Sequence, residues 1–177
     1  MTTTTTPFGR PDQSEYPPYF GRYIDQVPEG DLLKRLEDQN RETMRVLGAV
    51  PEAREDFAYA PGKWTLKEVI GHLTDAERVF SYRAMRFARG DQTPLPGFEQ
   101  NDWVPESGAA GRSLADLAAE YADVRRATLD LLRHLPPGAE FRKGVASGKE
   151  VNVRSLAWII AGHEVHHLKI IREKYLS

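Results

Sequence analysis

The stretch LAWIIAGHEVHHLKIIREKY, residues 156–175, decides the fold. Its apolar residues recur every three or four positions, which is the period of one face of an α-helix. The stripe that includes Leu156 and Ile160 continues through positions 163 and 167, so His163 and His167 are predicted to face the core. Two imidazoles four residues apart share a helix face, about 6 Å apart along the axis, and can converge on one metal ion.

The same stretch contains the string HEVHH, which matches the H-E-x-x-H signature of zinc proteases. In those enzymes the glutamate is the general base, and a third ligand usually follows downstream. The one acidic residue after His167 is Glu173, which is six positions further on and on another face of the same helix. The protease alternative is therefore disfavoured. Glu164 is predicted to be solvated or ion-paired, and His166 to lie at the flank of the stripe.

A third ligand is expected on a facing helix, because two buried imidazoles without a partner are costly. His72 is the candidate, since Val69 and Ala76 on its face place it at least at the flank of the core. His134 precedes a Leu-Pro-Pro sequence and is predicted to be exposed at a helix C-terminus, where its charge is favourable. From spacing alone, a metal ligand and a hydrogen-bonded core histidine both remain open for His72.

Four amphipathic segments are predicted to form long helices: residues 31–47, 65–88, 113–135 and 153 to nearly the end of the chain. Asp31 and Ser113 can N-cap their helices, and Thr65 with Glu68 makes a capping-box pattern. Residues 90–112 are too many for a tight turn, so they are predicted to form a crossover between parallel helices, or a lid. The pattern indicates an all-α four-helix bundle.

Two shorter segments complete the organisation of the chain. Residues 1–28 hold five of the twelve prolines and are predicted to form an extended lead-in, whose first dozen residues are mobile. A small hairpin is predicted around Ser147 and Gly148. The expected domain division is thus a lead-in of residues 1–28, followed by one bundle domain of residues 29–177.

The composition is that of one globular domain of 177 residues, with 40% hydrophobic and 28% charged residues. A net charge of −2 gives no reason to expect nucleic acid or an anionic membrane as a partner. The chain has no cysteine, which excludes disulfides and thiolate ligands. No signal peptide or membrane span is indicated, so a cytoplasmic protein that acts on a small molecule is expected.

Three stretches resemble the DinB superfamily, whose members include bacillithiol transferase-like proteins. The first is GKWTLKEVIGHLTDAERVFSYRAMRFARGD, residues 62–91, in which Trp64, Glu68 and His72 follow the family's W-(S/T)-x-x-E-x-x-x-H-L segment. The second is LPGFEQNDWV, residues 95–104. The third is LAWIIAGHEVHHLKIIREKY, residues 156–175, in which His163 and His167 are similar to the family's H-x-x-x-H helix.

The resemblance implies a four-helix bundle of up-down-down-up topology, in which the long crossover joins the second and third helices. It also implies a divalent metal bound by His72, His163 and His167. Zinc and nickel are expected first, with iron, manganese or cobalt as alternatives, because an all-imidazole set does not choose among them. Several members are dimers, so a homodimer is expected.

The first functional hypothesis is a metal-dependent thiol S-transferase, in which a low-molecular-weight thiol is activated as thiolate and attacks an electrophile. Glu77, Arg83 and Asp102 are the candidate catalytic residues that would orient the reactants, and Arg86 and Trp103 are further candidates. Glu77 and Arg83 could instead form ion pairs across helical turns. Metal-dependent hydrolysis or isomerisation is an alternative. A non-catalytic metal-binding stress-response protein is another, and it would have a fourth protein ligand or a sealed cavity.

Overall fold

The computed structural model describes residues 8–177. Its elements are α1 (Gly21–Ile24), α2 (Leu32–Gly48), α3 (Leu66–Ala88), α4 (Gln100–Glu106), α5 (Leu114–Arg133), β1 (Lys143–Ala146), β2 (Lys149–Asn152) and α6 (Val153–Ile170). A π-helical turn, Ile171–Tyr175, continues α6. Within the described part of the chain, every helix is too short or too polar to cross a membrane.

Helices α2, α3, α5 and α6 form a four-helix bundle. Helices α2 and α3 lie on one diagonal, and each packs against both α5 and α6, which lie on the other. The long crossover returns the chain along the bundle after α3, so α5 runs parallel to α3. The helices therefore follow the up-down-down-up order, which confirms the fold predicted from the sequence.

The predicted N-caps begin the long helices. The Asp31 side chain accepts a hydrogen bond from the Lys34 amide, and Thr65 forms a complete capping box with Glu68. Ser113 caps α5 in the same way. Because these side chains satisfy amides that the helix leaves unpaired, each helix begins one residue after the cap.

The crossover between α3 and α5 contains a short helix, α4, that the sequence pattern did not indicate. Leu95 in the crossover pairs with the hairpin: its amide donates to the Val145 carbonyl at 2.9 Å, and its carbonyl accepts from the Ser147 amide at 3.0 Å. The hairpin itself is antiparallel, with positive φ at both Ser147 and Gly148, as a two-residue type I′ turn requires. The predicted hairpin is thus present and anchors the crossover.

The lead-in packs on the bundle. Phe8 is buried, and its carbonyl accepts a hydrogen bond of 2.8 Å from the Trp158 indole. Tyr23, Ile24 and Val27 are also buried, and short helical turns replace the extended chain expected there. Phe8 and Pro11 are buried, and the mobility predicted for the first dozen residues stays a prediction. Residues 1–7 lie outside the described part of the chain.

The core consists of two apolar clusters, one at each end of the bundle. One includes Phe87 and Trp158, and the other includes Leu66 and Tyr175. Between them, buried polar side chains from all four long helices form a polar layer: Thr43, His72, Glu77, Tyr121, Arg125, His163 and Glu164. The candidate functional residues lie in and beside this layer.

Candidate metal centre

Three histidines from α3 and α6 converge at the polar layer. The Nε2 atom of His163 lies 3.2 Å from Nε2 of His72 and 3.2 Å from Nε2 of His167. The three ligand atoms all lie within 4.8 Å of one another. His72 and His163 are buried, and His167 is partly buried. The structure thus brings together the three histidines that the sequence singled out, across two antiparallel helices.

The spacing of these nitrogens fits a divalent metal. Zinc–imidazole bonds of about 2.0–2.1 Å in a tetrahedral site place two ligand nitrogens about 3.4 Å apart. Two of the three separations, at 3.2 Å, are within a few tenths of an ångström of that value, and the third pair, His72 and His167, lies within 4.8 Å. Within residues 8–177, no fourth His, Asp or Glu joins the cluster. Three protein ligands with a position left open are typical of catalytic metal sites rather than of closed structural ones.

Burial keeps the three imidazoles in the neutral form that binds metals. It lowers the pKa of His72 from 6.5 to about 4 and that of His167 to about 3. The pKa of His163 is lowered well below its usual value, first by burial and then by the neighbouring His167 and His72. Because a metal displaces protons from its ligands, lone pairs that are already free favour binding.

Aromatic rings surround the imidazoles. The Trp64 ring lies 4.9 Å from that of His72, between centroids. The rings of Tyr23 and Phe80 lie 5.3 Å and 5.9 Å from that of His163, both edge to face. These contacts fix the orientation of the imidazoles and reduce the local polarity, which strengthens electrostatic interactions at the centre.

A glycine precedes a ligand histidine on each of the two helices. A Cβ at Gly71 would lie 2.8 Å from the Cβ of Ala109, and a Cβ at Gly162 would lie 2.2 Å from the carbonyl oxygen of Tyr23. Both distances are shorter than packed side chains allow, so each glycine permits another segment to contact the helix beside a ligand. The repeated Gly-His pair was a signal of this close packing that the sequence analysis did not use.

A cavity of about 360 Å³ borders His72 and His163. That volume lies within the range of small-molecule sites. Its walls are largely apolar and aromatic, and its rim includes the exposed Tyr19 and Lys149, so it reaches the surface. A smaller cavity, of about 240 Å³, borders His167. A small molecule could therefore approach the histidines without unfolding any element.

Arg125 links the side chains of the polar layer to one another. It was not among the functional residues predicted from the sequence. It is fully buried, and all five of its N–H groups have acceptors. Four of these contacts are close to 2.8 Å and one is 3.0 Å; the acceptors are both carboxylate oxygens of Glu77, one of Glu164, the Tyr121 hydroxyl and the Leu36 carbonyl. The sequence did carry a signal of its burial: Arg125 is a basic residue within an apolar stripe, one turn after Tyr121 and one turn before Leu129.

Arg83 is the one residue of the three catalytic candidates that lines the larger cavity, among the residues the structure describes. Glu77 is buried with both oxygens bonded to Arg125, so its carboxylate is already engaged. Asp102 is exposed on α4, outside the cavity lining. The ion pair considered between Glu77 and Arg83 does not form, because each has other partners. The geometry therefore favours Arg83 for a role in substrate binding.

The remaining candidates lie away from the centre of the cavity. Arg86 pairs with Asp91, and Trp103 is 44% exposed. His166 is partly buried at the edge of the cluster, as expected of a flank residue. His134 is exposed and hydrogen-bonded to the Asp130 carbonyl at 2.7 Å.

Glu164 is ion-paired rather than solvated, the second of the two outcomes considered for it. Its Oε1 accepts a hydrogen bond of 2.7 Å from the Thr43 hydroxyl, and its Oε2 accepts one of 2.7 Å from Nη1 of Arg125. Both oxygens of the buried carboxylate are thus engaged. The glutamate of the H-E-x-x-H string cannot act as the base of a zinc protease from this position.

The chain is a four-helix bundle with a three-histidine cluster between facing helices, and the cluster has a ligand set that fits a divalent metal. The family model of the DinB superfamily matches residues 35–171. The chain belongs to the DinB superfamily, as the resemblance of its motifs indicated.

Two proteins illustrate the relationship. A protein from Bacillus licheniformis, provisionally named a metal-dependent hydrolase, is 25% identical over 170 residues, covering 84% of this chain and 95% of that protein. The structure of YfiT from Bacillus subtilis, described as a probable metal-dependent hydrolase with an unusual four-helix bundle topology, is similar with a TM-score of 0.72. It is 17% identical and the match covers 92% of this chain and 89% of YfiT, so the likeness shows the fold.

Proposed function

We propose that the protein is a metal-dependent hydrolase of small molecules, in which His72, His163 and His167 bind a zinc or nickel ion. The observation that carries the proposal is the cluster of three nitrogens beside a cavity, with room for a further ligand. The names of the Bacillus licheniformis relative and of YfiT support hydrolysis. A bound ion would supply Lewis acidity, polarising a substrate oxygen and lowering the pKa of a water or thiol in its open position.

The protein's own residues would bind and orient the substrate. The aromatic walls, which include Phe20, Phe80 and Phe98, suit an apolar body and exclude water around it. Among the residues that the structure describes, no Asp or Glu lines this cavity. The chain therefore offers no carboxylate base in this cavity. Deprotonation of the nucleophile would depend on the metal, which would lower its pKa.

Thiol S-transfer is the second candidate, and the same absence of a carboxylate base favours it. A thiol has a pKa of about 8.5, far below that of water, so it ionises with less assistance. Such an enzyme would use the cavity for the electrophile or for the body of the thiol.

Turnover by the metal-loaded protein tests both candidates. The protein, loaded separately with zinc and with nickel, would be assayed on esters, thioesters, lactones and amides, with and without an added thiol. We expect hydrolysis of at least one class, abolished in His163→Ala and retained in His134→Ala, which alters an exposed histidine. Turnover that requires the thiol would favour S-transfer. Activity that His163→Ala leaves unchanged would contradict both candidates.

A further inference from the structure

Arg83 is a buried cation without a carboxylate partner. The residue is 4% exposed. Its Nη2 donates hydrogen bonds to the Pro96 carbonyl at 2.9 Å and to the Ser147 hydroxyl at 3.1 Å. Among residues 8–177, no carboxylate lies within 4.0 Å of its guanidinium, and Nε and Nη1 have no acceptor. Residues 1–7 contain no Asp or Glu. The charge of Arg83 is therefore not neutralised by this chain.

Arg125 is a buried guanidinium with a structural role in the same bundle, and it provides a comparison for Arg83. There, two carboxylates and two neutral oxygens occupy every donor. Arg83 has two neutral acceptors and the Phe98 ring, whose centroid lies 5.9 Å from Cζ, but no carboxylate among the described residues, and burial lowers the pKa of its guanidinium. A buried charge left unpaired is costly. An anionic ligand in the cavity would remove that cost.

The charge of the cavity is consistent with such a ligand. Arg83 and Lys149 are the charged residues of its described lining, and both are basic. Aromatic and aliphatic side chains form most of the remainder. The cavity therefore combines apolar walls with a positive end, which matches an amphipathic anion.

Arg83 and His72 lie on the same face of α3. Ala76 and Phe80 lie between them in the cavity wall, and the two end residues are eleven positions apart, which is close to three full turns. Eleven residues of helix rise place their Cα atoms about 16 Å apart. Because Ala76 and Phe80 form the wall between the two ends, a ligand that contacts both the histidine cluster and Arg83 lies along this wall, with its anionic group at the end opposite the reacting bond.

We propose that the substrate is an elongated organic acid with an apolar body, and that Arg83 binds its carboxylate at the end of the cavity away from the histidines. This inference rests on the proposed function, because it names the substrate class of the same site. The aromatic wall between Arg83 and His72 contacts the apolar body, and the scissile bond lies at the histidine cluster.

Binding of a matched acid and amide tests the inference without requiring turnover. The probes are phenylbutyrate and phenylbutyramide, titrated into full-length, metal-loaded protein by calorimetry or ligand-observed NMR. We expect the acid to bind roughly tenfold more tightly than the amide, as for a hydrogen bond to a charged group. Arg83→Met should abolish this preference, and Arg83→Lys should retain part of it.

Two control variants separate charge from structure. Arg86→Met removes a neighbouring arginine that is already paired with Asp91, and Ser147→Ala removes a hydrogen bond of Arg83 without its charge. Both should keep the preference for the acid. Arg83→Gln replaces Arg83→Met if the latter fails to fold, as judged by thermal unfolding.

Three results would overturn the inference: equal affinities for the two probes, no binding of the acid, or a preference that survives loss of the guanidinium. A preference for the acid that survives loss of the guanidinium would mean that the ligand's carboxylate binds the metal or another group, not Arg83. Because binding is measured, a failure of the hydrolase assay leaves this result unaffected. Conversely, hydrolysis of neutral substrates with no preference for acids would reject the inference and keep the proposed function.

Discussion

The Nε2 atoms of His72 and His163 lie 3.2 Å apart, although 91 residues separate the two histidines in the chain. Antiparallel packing of α3 and α6 brings them together, and a glycine immediately before each histidine allows other segments to pack closely against the same helices. Both histidines belong to the polar layer, in which Glu164, the residue after His163, is paired with Arg125. The geometry of the metal centre and the stability of the bundle are therefore linked.

Arg125 is expected to be essential for stability. In Arg125→Met, the carboxylates of Glu77 and Glu164 lose a buried partner, which should lower the free energy of unfolding by about 3–5 kcal/mol. Arg126→Met is the matched control: Arg126 is exposed and pairs with Asp123 on the same helix, so a change within about 0.5 kcal/mol is expected. Urea unfolding measures both. Equal stability of the two variants would show that the network is not a stabilising element.

The close approach at Gly162 is expected to limit substitution. Gly162→Ala places a Cβ against the Tyr23 carbonyl, and displacement of α1 should cost about 1–3 kcal/mol and weaken metal binding. Gly48→Ala provides the control, because Gly48 is exposed at the end of α2 with open space around it. That change should be neutral or stabilise the protein by up to about 1 kcal/mol. Thermal unfolding and metal titration of both variants check this; equal behaviour would contradict the packing argument.

Acidification is expected to destabilise the metal-free protein in a defined range. In the unfolded chain the histidines take up protons near pH 6.5, whereas burial lowers the pKa of His72 to about 4 and that of His167 to about 3 in the folded chain. Stability is therefore unaffected by these groups above pH 6.5 and is lost as the pH falls toward 4, at about 1.4 kcal/mol per pH unit for each histidine. Urea unfolding at several pH values, with a chelator present, measures the slope.

A His72→Gln variant provides the comparison for the pH experiment, because it removes one of the titrating groups. Its slope should be shallower than that of the unmodified protein. Identical slopes would mean that His72 is not held neutral by burial. The lowered pKa values also mean that protons compete with a metal for the folded chain's histidines only below pH 6.5.

Much of the fold could be predicted from local patterns. The caps at Asp31, Thr65 and Ser113, and the turn at Ser147 and Gly148, depend on residues close in sequence, and the structure has each of them. The three histidines were also predictable, because the apolar period places two of them on one helix face. Motif resemblance added the third.

Most of what escaped prediction depends on contacts between distant elements. Helix α4 is the exception: it carries Pro105, and Val104 is its one buried residue, so no hydrophobic period marks it in the sequence. Glu77 was a candidate for catalysis because it lies little more than one turn after His72, while its partner Arg125 lies 48 residues away on another helix. The burial of Phe8 was not evident from the prolines and threonines near it, because Phe8 packs in the apolar cluster that includes Trp158, 150 residues further along the chain.

Metal stoichiometry and affinity test the central claim most directly. Elemental analysis and calorimetric titration with zinc and nickel should give one ion per chain for the unmodified protein and for His134→Ala. His72→Ala, His163→Ala and His167→Ala should each bind far more weakly, because two imidazoles rarely suffice to hold an ion. A saturating metal should raise the unfolding free energy, by about 2.7 kcal/mol at one hundred times the dissociation constant, and a chelator should reverse the effect. Absence of stoichiometric binding, or binding that all three substitutions leave intact, would contradict the account.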